Sequence, residues 1–264
     1  MALELRQRLL GLGFPASSLA AGIAVWEAVT RSGLVPPYLL PAPSSIVAQL
    51  IEARGPLLGH TVVTALEILL GFLLALIIGI LLAMAVVYVR PFERAIYPWI
   101  VATQAIPIVA IGPLFIVWLG FGLLPKVIIA FLIAFFPILI DTVIGLRSVE
   151  QESIFLLRSM GAGRWKIFRY LRMPNALPNL FGAMKVAITL ATVGAIVGEF
   201  IGANQGLGYV LLFANGILDT RLLFAALTAI SALALAFYVL VVALERLCIR
   251  WHVSIRSESA SITM

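Results

Sequence analysis

At 264 residues, with 62% hydrophobic and 11% charged side chains, the chain lacks the polar surface of a soluble domain, in which roughly a quarter of residues are charged. It reads as an integral membrane protein with room for about five to seven helical spans of roughly 20 residues, and its long unbroken apolar runs exclude a barrel of short alternating strands. The net charge of +6 is of the sign that nucleic acid attracts, but in membrane proteins excess Lys and Arg more often mark cytoplasmic loops, and no nucleic-acid partner is expected. The single cysteine, Cys248, excludes an intrachain disulfide and a cysteine metal cluster. It reads as an inert core thiol.

Arg6 and Arg8 precede an apolar stretch from Leu9, as in a signal peptide. The uncharged run continues to Trp26 without a clear small-x-small cleavage site, so a retained first span is expected. Span 1 covers about Leu10–Thr30 and ends at Arg31 and the Pro36-Pro37 pair. Leu40-Pro41-Ala42-Pro43-Ser44-Ser45 forms a rigid connection, with Ser44 or Ser45 expected to cap a short amphipathic helix over Ile46–Arg54. Span 2 covers about Thr61–Val89; Gly71 and Gly79 within it allow close helix approach. A charged turn at Arg90, Glu93 and Arg94 leads to span 3, Ala95–Leu119, where Pro107 and Pro113 predict kinks. Span 4 runs Lys126–Leu146 with Pro137 and Asp141 inside, and span 5 runs Leu180–Ile201 after Pro174 and Pro178. The loop Gly202–Asp219 carries Gly206-Leu207-Gly208 and a semi-apolar Tyr209–Leu218, expected to lie flat in the interface. Span 6 covers Leu222–Leu244, before a frayed Ser-rich tail over Ser254–Met264.

With the N-terminus inside, fourteen of the eighteen Lys and Arg residues fall on or near the cytoplasmic side, and only Arg31, Arg54, Lys126 and Arg221 fall outside. This bias predicts an all-α protein of six transmembrane helices with both termini in the cytoplasm. The chain then forms a single transmembrane domain over residues 1–264, with a cytoplasmic loop at 150–174.

That loop is the most informative stretch. Gln151–Met160 contains good helix formers, and Gly161 supplies a left-handed end. Arg164–Arg172 predicts a second, amphipathic helix with Ile167, Phe168 and Leu171 on one side and Lys166 and Arg169 on the other. Met173-Pro174 is expected to stop it. Two readings stand: a surface helix resting on anionic headgroups, or a docking element for a partner.

The residues Gly161, Ala162, Phe168 and Pro174, with an apolar residue before the proline, resemble the cytoplasmic loop of ABC-importer permeases, whose consensus is Glu-Ala-Ala, three residues, Gly, nine or more residues, an apolar residue and Pro. Pro41-Ala42-Pro43-Ser44, Gly71-Phe72, Ile106-Pro107, Gly112-Pro113-Leu114, Phe136-Pro137, Gly198-Glu199 and Gly206-Leu207-Gly208 are similar to further landmarks of the branch that imports nitrate, sulfonates, taurine and pyrimidine vitamin precursors. The resemblance covers nearly the whole chain and implies a type I importer fold. It also implies a homodimer with two ATPase subunits that use ATP-Mg, an extracytoplasmic solute-binding protein and a bacterial inner-membrane location. The docking residues it implies are Glu152, Gly161, Ala162, Arg164, Trp165, Lys166, Phe168, Arg169 and Pro174. One departure is plain: Phe155-Leu156-Leu157 stands where Glu-Ala-Ala is expected. No Gly-rich phosphate loop ending Gly-Lys-Ser or Gly-Lys-Thr occurs in the sequence, so ATP hydrolysis and any cofactor are expected in a separate subunit.

Ionisable groups inside spans are costly and usually face an interior or a water-filled cavity. Glu27, Glu67 and Glu199 are expected at outer span ends and Asp141 near the inner end of span 4. Glu199, Glu67, Pro107, Pro113 and Asp141 are the candidates for a translocation pathway or mouth, against the competing reading of helix–helix hydrogen bonds and packing kinks. The expected function is therefore the membrane subunit of an ATP-driven importer for a small solute: a sulfonate such as taurine, a nitrate-type anion, or a pyrimidine- or riboflavin-like heterocycle. An ion-coupled secondary transporter using the intramembrane carboxylates is the alternative, although no inverted repeat is visible. A membrane enzyme is weaker still, since the only histidines, His60 and His252, sit near opposite ends of the chain with no metal or nucleophile pattern around them.

Overall fold

The computed structural model describes residues 2–249 except 104, and within them the side chains other than those at 2–16, 90, 96, 100 and 101. The expected frayed tail, Arg250, Arg256 and His252 lie outside the described residues, as do the side chains of Arg6 and Arg8. Every element is helical: α1 (Ala2–Arg31), α2 (Pro43–Glu52), α3 (Arg54–Tyr88), α4 (Arg90–Thr103), α5 (Ile108–Leu119), α6 (Leu123–Arg147), α7 (Gln151–Ser159), α8 (Arg164–Ile167), a π-helical turn (Phe168–Arg172), α9 (Met173–Gly202), α10 (Leu207–Gly216) and α11 (Thr220–Cys248). Among the described residues, four helices are long and apolar enough to cross a membrane: Arg54–Tyr88, Leu123–Arg147, the continuous Arg164–Gly202 and Thr220–Cys248.

The centre of the bundle is α6, packed between α3 and α9. Small residues set the spacing. A Cβ on Gly71 of α3 would stand 2.6 Å from Ala130 Cβ, and one on Gly194 of α9 would stand 2.6 Å from Ala130 Cα. Three backbones thus converge on Ala130, which is fully buried. In lipid, close contact of this kind replaces the hydrophobic drive that assembles soluble cores. Ile68, Ala134, Ile138, Leu139, Ala187 and Ala191 extend the same core along the bundle axis.

The expected spans 2, 4 and 6 correspond to α3, α6 and α11, each a few residues longer than expected. Elsewhere the structure corrects the sequence reading. Span 3 is two helices: α4 ends at Thr103, and α5 starts after Pro107, which takes its N-cap position with φ −71° and ψ 95°. The missing proline N–H is harmless there, whereas inside a helix it would leave a carbonyl unpaired. Pro113, by contrast, lies inside α5.

Met173-Pro174 does not stop the amphipathic helix. The chain passes from α8 through the π turn into α9, with the Met173 N–H bonded to the Phe168 carbonyl and Pro174 in the first turn of α9. The wider i→i+5 turn accommodates the proline. Span 5 therefore begins well before Leu180.

The segment Tyr209–Leu218 is docked on the bundle. As α10 it packs against α9, α11 and α3, burying Leu207, Val210, Leu211 and Ala214. Neither serine caps α2, which begins at Pro43 behind Ala42. Instead Glu27 of α1 accepts from the Ser44 N–H (3.0 Å) and the Ser44 hydroxyl (2.7 Å). The carboxylate satisfies a free amide at a helix N-terminus, where negative charge is favoured. Cys248 is exposed rather than in the core.

Candidate functional site

Two clusters stand at opposite ends of the bundle. The first is built from α7, α8 and the π turn. α7 ends in a Schellman motif: Gly161 has φ +78°, its N–H donates to the Arg158 carbonyl, and the Ala162 N–H donates to the Leu157 carbonyl, both at 2.9 Å. This paired closure is what a left-handed glycine allows. Val149, Ile154 and Ile167 form a small core beneath the turn, joined by Leu157, Ala162 and Leu171. The amphipathic expectation is met, since Ile167 is buried while Lys166 and Arg169 are exposed.

The loop is tied to the transmembrane helices by aromatic contacts. Phe168, half-buried, meets Tyr88 edge-on at 5.9 Å and Trp165 at 5.5 Å. The Arg172 guanidinium lies 5.3 Å over the Tyr88 ring. Asn175 donates to the Ser148 hydroxyl at 2.7 Å, and Arg147 pairs with Glu93 at 2.7 Å. Arg158, Arg164 and Arg172 line one hollow with Tyr88, Ile154 and Ile167.

Outwards the loop presents an apolar and cationic surface. Phe155 and Leu156 are each 62% exposed, Trp165 68% and Met160 74%. Arg164, Lys166, Arg169 and Glu152 are exposed around them, Gly161 is exposed at the turn, and Ala162 and Pro174 are half-buried. Leu157 alone of the Phe155-Leu156-Leu157 run turns into the small core.

The second cluster lies where α9 gives way to α10. Glu67 and Glu199 are 0% and 1% exposed, enclosed with Thr64 and Lys126. Neither carboxyl lines an open surface of this chain. Lys126 Nζ donates to Glu67 Oε1 at 2.6 Å. The Thr64 hydroxyl donates to Glu199 Oε1 at 2.6 Å and accepts the Leu207 N–H at 2.8 Å. The Gly208 N–H donates to Glu199 Oε2, and the Gly206 N–H donates to His60 Nδ1 at 3.0 Å. Three successive amides at the start of α10 are thereby satisfied by α3 and α9 side chains, as buried helix ends require. Gly208 leaves room for this: a Cβ there would stand 2.7 Å from Glu199 Oε2.

Of the other pathway candidates, Asp141 is half-buried on α6, and Pro107 and Pro113 lie on exposed positions of the broken span. The structure does not bring these three into the Glu67–Glu199 cluster. Sequence reasoning missed Lys126, Thr64 and His60. The signal for Lys126 was available, since a membrane-embedded lysine near the same span ends as two glutamates needs a partner. Among the described residues, no group of three or more His, Cys, Asp or Glu could hold a metal ion.

Comparison with known proteins agrees with this architecture. The fold matches a chain of the MetNI methionine ABC transporter in an inward-facing conformation, with a TM-score of 0.62 at 18% identity, covering 74% of this chain and 97% of that one. The chain is 43% identical over 246 residues to the riboflavin transport system permease protein RibX of Chloroflexus aurantiacus (92% of this chain, 91% of that protein). It is 35% identical over 231 residues to the formylaminopyrimidine transport permease protein ThiX of Halalkalibacterium halodurans (87% and 92%). With the taurine transport system permease protein TauC of Escherichia coli it shares 27% over 254 residues (94% and 91%). Residues 75–250 match the family described as binding-protein-dependent transport system inner membrane component. This family membership sets aside the secondary-transporter and enzyme readings: the chain belongs to the binding-protein-dependent inner-membrane components, and is a multi-pass permease of an ABC importer for small solutes rather than its ATPase.

Proposed function

We propose that this permease imports a flat, riboflavin-like heterocycle, working as a homodimer with two ATPase subunits and an extracytoplasmic binding protein. The observation that carries the substrate class is the 43% identity to a riboflavin permease over 92% of the chain, against 27% for a taurine permease over a similar span. In this reading α1, the broken α4–α5 pair and the four long apolar helices make six crossings of a single permease domain. The positive-inside bias puts both termini and α7–α8 in the cytoplasm.

The α7–α8 loop is then the ATPase-docking element, with Glu152, Gly161, Ala162, Arg164, Trp165, Lys166, Phe168, Arg169 and Pro174 forming or supporting its surface. Its support is physical. Four large apolar side chains are more than half exposed on a segment already held rigidly from below, and exposed aromatics beside arginines are characteristic of protein interfaces. The polar Arg and Lys rim supplies orientation in place of the acid absent from the Phe155-Leu156-Leu157 position. Pro107, Pro113 and Asp141, on partly open faces, remain the pathway candidates. Glu67 and Glu199 act as an internal fastening.

The test is reconstitution with the cognate ATPase and binding protein in proteoliposomes, measuring uptake of labelled riboflavin, a formylaminopyrimidine and taurine. ATP-dependent uptake of riboflavin ahead of the other two is expected. Uptake of taurine alone would overturn the substrate assignment. Riboflavin uptake that persists without ATP and collapses with the proton gradient would overturn the assembly.

A further inference from the structure

In the buried cluster one carboxyl oxygen has no donor. Lys126 occupies Glu67 Oε1, while the Thr64 hydroxyl and the Gly208 N–H occupy the two oxygens of Glu199. Glu67 Oε2 is buried without a partner, one helical turn along α3 from Thr64, whose hydroxyl donates to the equally buried Glu199. Two ionised carboxylates in contact repel each other, and a proton between them turns that contact into a hydrogen bond.

Charge counting leads to the same place. One ammonium, Lys126, and the start of α10, equivalent to about half a positive charge, face two carboxyls that are 0% and 1% exposed. Double ionisation would leave buried negative charge uncompensated, which proteins avoid. A single proton leaves one carboxylate opposite Lys126. The remaining titratable neighbour, His60 of α3, is engaged through Nδ1 with the Gly206 N–H.

We propose that Glu67 and Glu199 form a binding site for one proton, which bridges Glu67 Oε2 to Glu199 and fastens α3 to the α9–α10 corner. The proton is thus a structural ligand that holds α10 folded back onto the bundle.

Infrared difference spectra of the purified full chain in nanodiscs, in deuterated buffer, test this directly. Glu67→Gln and Glu199→Gln should each abolish one protonated-carboxyl band and leave the carboxylate absorption unchanged, because the surviving carboxyl takes up the charge opposite Lys126. Loss of carboxylate absorption in either single variant, with no protonated band lost, would overturn the proposal. Melting provides the second arm. Each single variant should shift the midpoint by less than about 2 °C, whereas the double variant, which leaves Lys126 buried and unpaired, should lower it by about 10 °C. A double variant as stable as the singles would also overturn the proposal.

Discussion

The convergence of three helices on Ala130 gives the sharpest stability prediction. In Gly194→Ala the new Cβ would sit 2.6 Å from Ala130 Cα, and 3.1 Å from both the Ala130 nitrogen and the Ile129 carbonyl oxygen. All three are backbone atoms, so no side chain can rotate away. Ordinary carbon contacts lie at about 3.5–4.0 Å, so α6 and α9 must separate locally by about 1 Å. Overpacking of this kind costs about 1–3 kcal/mol, or about 2–10 °C in melting temperature for a chain of this size. Gly182→Ala on the same helix is the control, since a Cβ there meets nothing within 4 Å, and alanine is the better helix former by up to about 1 kcal/mol. Fluorescence-detected thermal unfolding of the two purified variants in detergent should place Gly194→Ala below wild type and Gly182→Ala at or above it. Equal midpoints for the two variants would refute the argument that small residues set the helix spacing.

Four further outcomes follow from the same geometry. Gly161→Val forces a β-branched residue to φ +78°, breaks the Schellman closure, and should abolish copurification with the ATPase while the chain still inserts in the membrane; retained copurification with full ATP-driven uptake would sink the docking role. Lys126→Met removes the ammonium partner of a fully buried carboxyl and should destabilise the permease by about 3–5 kcal/mol, read from thermal unfolding. By contrast, Arg31→Ala, at an ion pair whose arginine side chain is 70% exposed, should scarcely move the midpoint. Asp219→Ala deletes the carboxylate that accepts the Leu222 N–H at 3.0 Å at the start of α11. It should cost about 1 kcal/mol by the same assay.

Much of this architecture was legible because hydrocarbon imposes few solutions. Long apolar runs located α3, α6 and α11, and Gly161 gave the end of α7, since only a left-handed residue could close that helix before the next began. The prolines were less transparent. Pro107 and Pro174 present the same local signal, yet one divides a span and the other sits in the first turn of a continuous helix. What separates them is the π turn at Phe168–Arg172, which hydropathy does not encode. Two amides at the start of α10 are satisfied by residues 143 and 146 positions away, Leu207 by Thr64 and Gly206 by His60. No periodicity reveals such partners, so the docking of the apolar Tyr209–Leu218 segment was not legible. The acids were recognisable as costly; only the fold shows that Glu67 and Glu199 lie together and that Lys126 answers them.

The unbroken run from Arg164 to Gly202 has a mechanical consequence. Its 39 residues make a rod of roughly 58 Å at 1.5 Å per residue, with exposed Trp165 near one tip and buried Glu199 near the other. Pro174 and Pro178 and a wide π turn lie within it, yet no loop interrupts the run. A tilt of about 5° imposed at the Trp165 end would displace the Glu199 end by about 5 Å if the rod stayed straight, more than the length of any hydrogen bond holding α10 in place. The aromatic tip and the acidic corner are therefore two handles on a single lever.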